Sequence, residues 1–216
     1  SDVCSSDLTM IQDKTQLVRD GLETAYIDGN IASEISYKPG FVSNNHREGK
    51  KVISVIESEL LKCDKFQISV AFITLGGVTP LLQTLKELEG KGVPGEILTS
   101  NYLDFSEPLA LEKLHSLKNI KIRMYDTRSA NNGFHTKGYI FREEEIYRII
   151  IGSSNITSAA LTTNREWNTK LVSTAQGEMT EDILREFDEL WNSEYALDYD
   201  VFYEEYKRSE ERRVGK

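Results

Sequence analysis

The sequence predicts an α/β fold in which a mixed β-sheet is flanked by helices on both faces. Segments with the apolar pattern of strands lie at 65–73, 95–100 and 120–124. Segments with the helical apolar period lie between them, at 79–89 and 107–117. This β-α-β-α-β order is typical of a largely parallel or mixed sheet, because the helices provide the crossover connections.

The other elements follow from the same periodicities. Toward the N-terminus we expect a helix at 9–25, an irregular segment at 31–45, and a helix at 47–61 whose buried face comprises Val52, Ile53, Val55, Ile56, Leu60 and Leu61. After residue 124 we expect, in order, a loop at 129–133, strands at 135–141 and 147–152, a short helix at 156–161, a strand at 169–173 and a helix at 180–191. The apolar face of the last helix comprises Ile183, Leu184, Phe187, Leu190 and Trp191.

Length and composition are typical of one soluble globular domain, since the 216 residues are 39% hydrophobic and 28% charged. No apolar run approaches the roughly 18 residues needed to span a bilayer, and the polar start does not resemble a signal peptide. With only Cys4 and Cys63, no disulfide framework is expected, and Cys63 is interpreted as a small core residue. We therefore expect a cytoplasmic protein without a membrane partner.

Charge and histidine content narrow the function further. A formal charge of −9 argues against a protein that coats nucleic acid non-specifically, although it permits a local basic groove. A zinc site is not expected, because His46, His115 and His135 are far apart and no Cys-x-x-Cys is present.

The two ends of the chain look foreign to this domain. Residues 1–8 and 208–216 resemble translated sequencing-adapter DNA, with natural frayed tails as the alternative. The predicted domain spans 9–207, with 9–45 as its N-terminal helix and irregular segment. If the ends are artefacts, the native protein can extend beyond either of them.

The residues that carry chemistry begin with His135 and Lys137, two positions apart on a predicted strand. Alternate residues share a face, so both side chains project together and Thr136 projects the opposite way. A histidine beside a lysine is costly in a core unless an anion such as phosphate lies between them. Small residues follow the next buried strand, where backbone N–H groups are well placed to bind an oxyanion: Gly152, Ser153, Ser154 and Asn155.

The order His135-Thr-Lys137 and then Gly152-Ser-Ser-Asn155 resembles the signature of the phospholipase D superfamily, which is His-x-Lys, an acidic residue and then Gly-Ser-x-Asn. The resemblance is sharp over 134–168. It implies a phospholipase-D-like fold in which His135 attacks phosphorus and forms a phosphohistidine, while Lys137 and Asn155 bind the phosphoryl oxygens. It also implies that neither a metal nor a cofactor is needed, because cationic side chains neutralise the developing charge.

One departure from the signature shifts the expected substrate. The usual acidic residue, five positions after the lysine, is replaced here by Arg142. Metal-independent restriction endonucleases and helicase-fused relatives in the superfamily lack that aspartate and use a later glutamate, and Glu166 resembles it in its separation from His135. By that resemblance Glu166 orients or protonates a histidine. The charged turn 143–145 could substitute, although a solvated turn is the simpler interpretation.

The single His-x-Lys motif implies a shared site. The mechanism needs one histidine as nucleophile and another to protonate the leaving oxygen, yet neither His46 nor His115 has a lysine two residues on. A two-fold homodimer joining two copies of His135 would supply both. We therefore expect a homodimeric nuclease whose partner is nucleic acid, DNA foremost, with a fused or partner helicase domain and a role in restriction or repair. The alternatives are a lipid phosphodiesterase and a non-catalytic nucleic-acid-binding or assembly module of the same fold.

Several nearby residues have two interpretations. Trp167 and Phe134 are expected to pack rather than to stack on bases, and Arg142 is expected to be solvated. Arg165 could contact a phosphate backbone or be solvated. His46 and Arg47 fit either a phosphate-binding pair or a simple helix start. Two further residues could bind phosphate or serve only as turn residues: Ser153 and Ser154.

Overall fold

The computed structural model describes residues 38–214, with side chains to residue 209. The predicted helix at 9–25 and the tail at 1–8 lie outside the described residues. The strands are β1 Gly40–Val42, β2 Lys65–Val70, β3 Gly95–Ser100, β4 Ile120–Tyr125, β5 Lys137–Glu143, β6 Ile146–Gly152, β7 Asn168–Thr174 and β8 Ala196–Asp198. They form one eight-stranded sheet in the order β1-β7-β6-β5-β2-β3-β4-β8. Its centre, β2-β3-β4, is parallel and every other pairing is antiparallel, so the predicted mixed sheet is confirmed.

Helices cover both faces of the sheet, as predicted. They are α1 Val52–Leu60, α2 Leu75–Val78, α3 Leu82–Lys91, α4 Pro108–His115, α5 Thr127–Ala130, α6 Ser158–Thr162, α7 Glu178–Trp191 and α8 Tyr199–Val214, with 3-10 turns at His46–Glu48, Thr79–Leu81 and Tyr102–Asp104. On β5, Tyr139 and Phe141 join a core with α1, α3, α4 and α8, whereas Ile140 joins a core with α7. Because neighbouring strand residues point to opposite faces, these two cores lie on opposite sides of the sheet.

The N-terminal boundary of α1 differs from the prediction. The helix expected at 47–61 is interrupted, because His46–Glu48 forms a 3-10 turn that ends at Gly49 with a left-handed φ of 67°. The chain then extends through Lys51 before α1 begins at Val52. The segment expected to be irregular, 31–45, contains β1 within its described part. Three residues are too few for alternation to reveal a strand.

Two further elements were missed, and one was placed differently. Strand β8 is also three residues long. Helix α8 runs to Val214 and so includes most of the segment predicted to be a foreign tail; its buried Tyr199, Phe202 and Tyr206 have helical spacing. The predicted loop at 129–133 begins within α5. None of the helices within 38–214 combines the length and apolar character needed to cross a membrane.

Candidate active site

His135 lies just before β5, which begins at Lys137 rather than at residue 135 as predicted. The backbone is anchored on one side by Phe134, which is buried and stacks on Tyr125 with ring centroids 5.3 Å apart. The imidazole itself is exposed and lies against the edges or faces of two aromatic rings. Its centroid is 6.2 Å from that of Phe72 and 6.1 Å from that of Tyr102, with near-perpendicular planes in both pairs. These rings restrict the orientation of the imidazole.

Lys137 folds back onto the histidine. Its Nζ lies 2.6 Å from His135 Nδ1 and donates a hydrogen bond of 2.8 Å to the His135 carbonyl oxygen. Thr136 is directed elsewhere, because its hydroxyl is 2.6 Å from the hydroxyl of Ser69 on β2. The predicted pairing of His135 with Lys137 is therefore present, although it arises from a direct contact at a strand start rather than from two positions within a strand.

Lys137 carries its amine into a largely buried environment. The residue is 8% exposed, and burial lowers the pKa of its ammonium group below the usual lysine value. The negative charge of Glu166 opposes part of that shift. Burial, followed by Glu166, also raises the pKa of the Tyr139 phenol, so that tyrosine stays protonated. The carboxylate of Glu166 therefore acts electrostatically on this lysine.

Glu166 is held by a serine of the predicted phosphate-binding segment. The carboxylate is buried, and its Oε2 accepts a hydrogen bond from the Ser153 hydroxyl. The same serine oxygen accepts a 3.1 Å hydrogen bond from the Trp167 N–H. Ser153 thus fixes Glu166 in place, which is a more specific role than that of a turn residue.

Asn155 presents its amide from the end of the same segment. Its Oδ1 accepts a hydrogen bond of 3.1 Å from the Phe72 N–H. The adjoining backbone is fixed as well, since Ile156 N donates to Phe72 O over 3.2 Å and Ile156 forms a parallel bridge with Ile73. With Oδ1 occupied, the Nδ2 amino group is the part of Asn155 that can donate to a phosphoryl oxygen.

The expectation that backbone N–H groups of this segment bind an oxyanion is wrong for two residues. Ser153 N and Ser154 N both donate to Asn168 Oδ1, over 3.1 and 3.2 Å. Ser154 is also completely buried, and its carbonyl oxygen accepts a hydrogen bond from Tyr139. Ser154 therefore supports the segment and does not reach a substrate. Gly152 allows a close approach, because a Cβ there would lie 2.2 Å from the Trp167 carbonyl oxygen.

Asn168 is the structural residue that sequence reasoning missed. It is buried on β7, and besides accepting from the two serine N–H groups it donates to Ser154 Oγ over 3.0 Å and to the Val42 carbonyl over 3.1 Å. All its polar capacity is used to shape the segment that carries Asn155. The available signal was its position two residues after Glu166, at the start of a strand.

The acidic alternatives lie elsewhere. Arg142, which replaces the usual aspartate, donates to Asp64 over 2.6 Å and is therefore paired rather than simply solvated. It lies five residues along β5 from Lys137, about 16 Å away at ~3.3 Å per residue. The turn 143–145 lies farther still, and Glu143 pairs with Arg148 over 2.5 Å. That turn cannot substitute for Glu166.

The other residues that were considered in the sequence lie in different environments. Phe134 packs as expected, but Trp167 is 74% exposed, so the expectation that it packs is wrong. His115 stacks on Tyr199 with ring centroids 3.7 Å apart, at the end of α4, and is not part of the site. Cys63 is buried as predicted. Within the described residues, no three His, Cys, Asp or Glu side chains come together in a group that could hold a metal ion.

Comparison with known proteins identifies the family to which this arrangement of residues belongs. The family model described as cardiolipin synthase, PLD-like domain, matches residues 58–191, a span that includes His135, Lys137, Asn155 and Glu166. The chain belongs to this PLD-like family. Members of the family are generally phosphodiester hydrolases or transferases, and the predicted phospholipase-D-like fold is confirmed. A search of curated proteins found no match.

Solved structures agree on the fold of this PLD-like chain. NucT from Helicobacter pylori is 14% identical with a TM-score of 0.57, and the match covers 74% of this chain and 98% of NucT. Nuc from Salmonella typhimurium, a phospholipase D family member, is 19% identical with a TM-score of 0.55 and coverages of 75% and 99%. Phosphatidylserine synthase from Haemophilus influenzae is 14% identical with a TM-score of 0.55, but the match covers 82% of this chain and only 45% of the synthase.

Proposed function

We propose that this PLD-like chain is a metal-independent phosphodiesterase that cleaves nucleic acid, DNA foremost, through a phosphohistidine on His135. The observation that carries the proposal is the 2.6 Å contact between Lys137 Nζ and His135 Nδ1. It joins an exposed nucleophile to a largely buried cation on which the Glu166 carboxylate acts, and Asn155 is bonded to Phe72, whose ring lies beside the imidazole. A phosphoryl group placed there would meet a nucleophile and hydrogen-bond donors at the same time.

The first chemical step assigns different roles to the two imidazole nitrogens. As an ammonium ion Lys137 can only donate, so Nδ1 accepts its proton while the two groups are in contact. When the ammonium group turns to a phosphoryl oxygen, the ring proton can move to Nδ1, and Nε2 then carries the free electron pair that forms a bond to phosphorus. The bond from phosphorus to the leaving oxygen breaks, and that oxygen takes a proton from a second histidine. Water then gives a proton to that second histidine and attacks phosphorus, which displaces Nε2 and completes hydrolysis.

The second histidine comes, in this proposal, from another copy of the chain. Of the other histidines, His115 is stacked against Tyr199 outside the site. Because His135 is exposed, two copies related by a two-fold axis could bring their imidazoles to one phosphate. Each copy would contribute one nucleophile or one proton donor to a composite site.

Nucleic acid is favoured over lipid by the acidic residue that the chain uses. The position of the usual aspartate holds Arg142, which is paired with Asp64 far from Lys137. Glu166 lies instead within electrostatic range of Lys137, as expected for the nuclease-type subset. A non-catalytic module would gain nothing from placing a lysine amine in a buried position beside an exposed histidine, because burial of the amine is costly.

The decisive test is a search for the covalent intermediate in the presence of EDTA. We expect a labelled oligonucleotide to be cleaved in EDTA and, on rapid quenching, to yield a protein–oligonucleotide adduct that is stable to base and labile to acid. Peptide mapping should place the adduct on His135, because its Nε2 forms the bond to phosphorus. A magnesium-dependent nuclease in the same buffer provides the control for chelation. Activity that disappears with EDTA, or an adduct on another residue, would contradict the proposal.

A second expectation concerns alkaline pH. Lys137 attracts phosphate only as an ammonium ion, and burial lowers its pKa. We therefore expect kcat/KM to fall at a pH below the usual lysine value of about 10.4. Because the charge of Glu166 raises the pKa of Lys137, Glu166→Gln should move that fall to still lower pH, in addition to reducing the rate.

The pH profile of a matched carboxylate variant provides the control. Glu87 is an exposed glutamate paired with Lys91 on α3, and Glu87→Gln should leave the alkaline fall where it is in the wild-type protein. If Glu166→Gln left the fall unmoved or shifted it to higher pH, Lys137 would not be the titrating group.

A further inference from the structure

A polar cleft lies beside Glu166, between the turn after β1 and the segment that joins α6 to β7. Its volume is about 530 Å³, and its lining includes Asn45, His46, Arg47, Arg165, Glu166 and Trp167. Asn44 holds the two walls together, because its Nδ2 donates to Ala160 O over 2.9 Å and to Asn164 O over 2.7 Å. The cleft is therefore a fixed feature of the fold and opens next to the candidate active site.

Two arginines of the cleft have no carboxylate partner within the described part of the chain. Elsewhere in the described part of the chain, five arginines are paired with Asp or Glu: Arg123, Arg128, Arg142, Arg148 and Arg185. Arg47 and Arg165 are not. The nearby Glu48 is neutralised by Lys50, 2.5 Å away. In a chain with 35 acidic and 26 basic side chains, two guanidinium groups at one cleft that pair with no carboxylate of the described residues indicate an anionic partner.

An exposed aromatic pair borders the same cleft. Trp167 is 74% exposed and Phe41, on β1, is 63% exposed. Their ring centroids are 5.8 Å apart with an interplanar angle of 80°, so the edge of one ring supports the other while most of the indole remains uncovered. An open aromatic face beside arginines is the combination by which proteins bind unpaired nucleotides.

We propose that the cleft and Trp167 form a subsite for an unpaired stretch of nucleic acid adjoining the scissile phosphate. Arg47 and Arg165 bind backbone phosphates, and one base stacks on Trp167. This inference rests on the proposed nuclease function. Ser153 links the two sites, because its oxygen accepts from the Trp167 N–H and its hydroxyl donates to Glu166. The stacking residue is thus adjacent in sequence to the carboxylate that acts on Lys137.

The other occupant that this surface could accept is a second copy of the chain. A two-fold contact would bring the same surface of both copies together, so the guanidinium groups of Arg47 and Arg165 would face like charges, which is unfavourable. Nucleic acid satisfies both features of the surface, since it supplies phosphates for the cations and a base for the exposed ring.

Binding to single-stranded oligonucleotides tests the proposal. In a His135→Ala background, which prevents turnover, Trp167→Ala should weaken binding of an oligomer of about twelve nucleotides by roughly ten- to hundredfold. Trp167→Phe should retain most of the affinity because it keeps an aromatic face. An abasic nucleotide moved along the oligomer should weaken binding to the parent protein at one position, and that position should have little further effect in Trp167→Ala.

The salt dependence of the same binding reaction tests the arginines. Arg165→Gln and Arg47→Gln should each reduce the slope of log affinity against log salt concentration by about 0.7, the value for one phosphate contact on a single strand. Arg185→Gln is the matched control, because Arg185 is exposed and paired with Asp182 on α7. That control should leave the slope unchanged.

The outcomes separate this proposal from the one on which it rests. Equal losses in Trp167→Ala and Trp167→Phe, with no sensitive abasic position, would overturn the stacking subsite even if the wild-type protein cleaves. A Trp167→Ala protein that dissociates into monomers by sedimentation, with unchanged oligonucleotide affinity, would assign the surface to dimerisation and overturn it as well. A wild-type protein that discriminates abasic oligomers but never cleaves them would instead contradict the nuclease function.

Discussion

Replacing His135 with alanine should reduce phosphodiester cleavage at least about a thousandfold, since the variant lacks the atom that forms the bond to phosphorus. Folding should be preserved, because the imidazole is exposed and its contacts are with Lys137 and with the rings of Phe72 and Tyr102. The loss should appear in the nicking of labelled plasmid in EDTA, with thermal unfolding measured on the same preparations.

The control for this substitution is a histidine outside the site. His115 is stacked on Tyr199 and is also half-exposed, so His115→Asn removes an imidazole without affecting Lys137 or Glu166. We expect it to cleave like the wild-type protein. If His135→Ala cleaved at the wild-type rate while folded, the nucleophile assignment would be wrong and the non-catalytic or differently catalysed alternatives would gain support.

A heterodimer of one wild-type copy and one His135→Ala copy should be as inactive as the double variant. In a composite site one histidine attacks phosphorus and the other protonates the leaving oxygen, so loss of either disables the only site. Independent sites would instead leave about half of the wild-type activity, because one of two copies would remain intact. Coexpression with two affinity tags and sequential purification would isolate the heterodimer for the measurement.

A heterodimer with His115→Asn in one copy controls for the effect of the tags and should have full activity. Half-activity of the His135→Ala heterodimer would refute the shared site and require a proton donor within each chain. His46 would then become the candidate, because it lines the same cleft as Glu166.

The sequence predicted the elements that are long enough to show a period. The central strands and the helices between them follow from strand alternation or from a helical apolar period that extends over five or more residues. Strands β1 and β8 have three residues each, which is too short for an alternating pattern to reveal them. The alternation of side chains along a strand also predicted that His135 and Lys137 lie together. Their contact depends instead on the lysine side chain, which folds back onto the His135 carbonyl oxygen.

The sequence predicted those site residues that carry chemistry by themselves. It did not predict the hydrogen bonds between residues that are distant in sequence. Glu166 was expected to orient or protonate a histidine, from its resemblance to the later glutamate of the nuclease-type subset. In the structure its charge acts on Lys137, and its role toward a histidine stays a prediction. The use of the Ser153 and Ser154 N–H groups was predicted wrongly, because their acceptor is an asparagine on a strand that follows the segment. The exposure of Trp167 could not be inferred either. This residue comes directly before β7, whose neighbour at the edge of the sheet is β1, a strand that the sequence did not reveal.

The hydrogen bond from Asn168 to the Val42 carbonyl determines how far the protein can be trimmed. The family match begins at residue 58, yet the asparagine that shapes the active-site segment is anchored to β1, upstream of that limit. At the other end, the Tyr206 hydroxyl donates over 2.7 Å to the Ser106 carbonyl, and Ser106 Oγ accepts from the Ile73 N–H beside Asn155. The smallest segment expected to keep the candidate site intact therefore extends from β1 into α8, well beyond the segment that defines family membership.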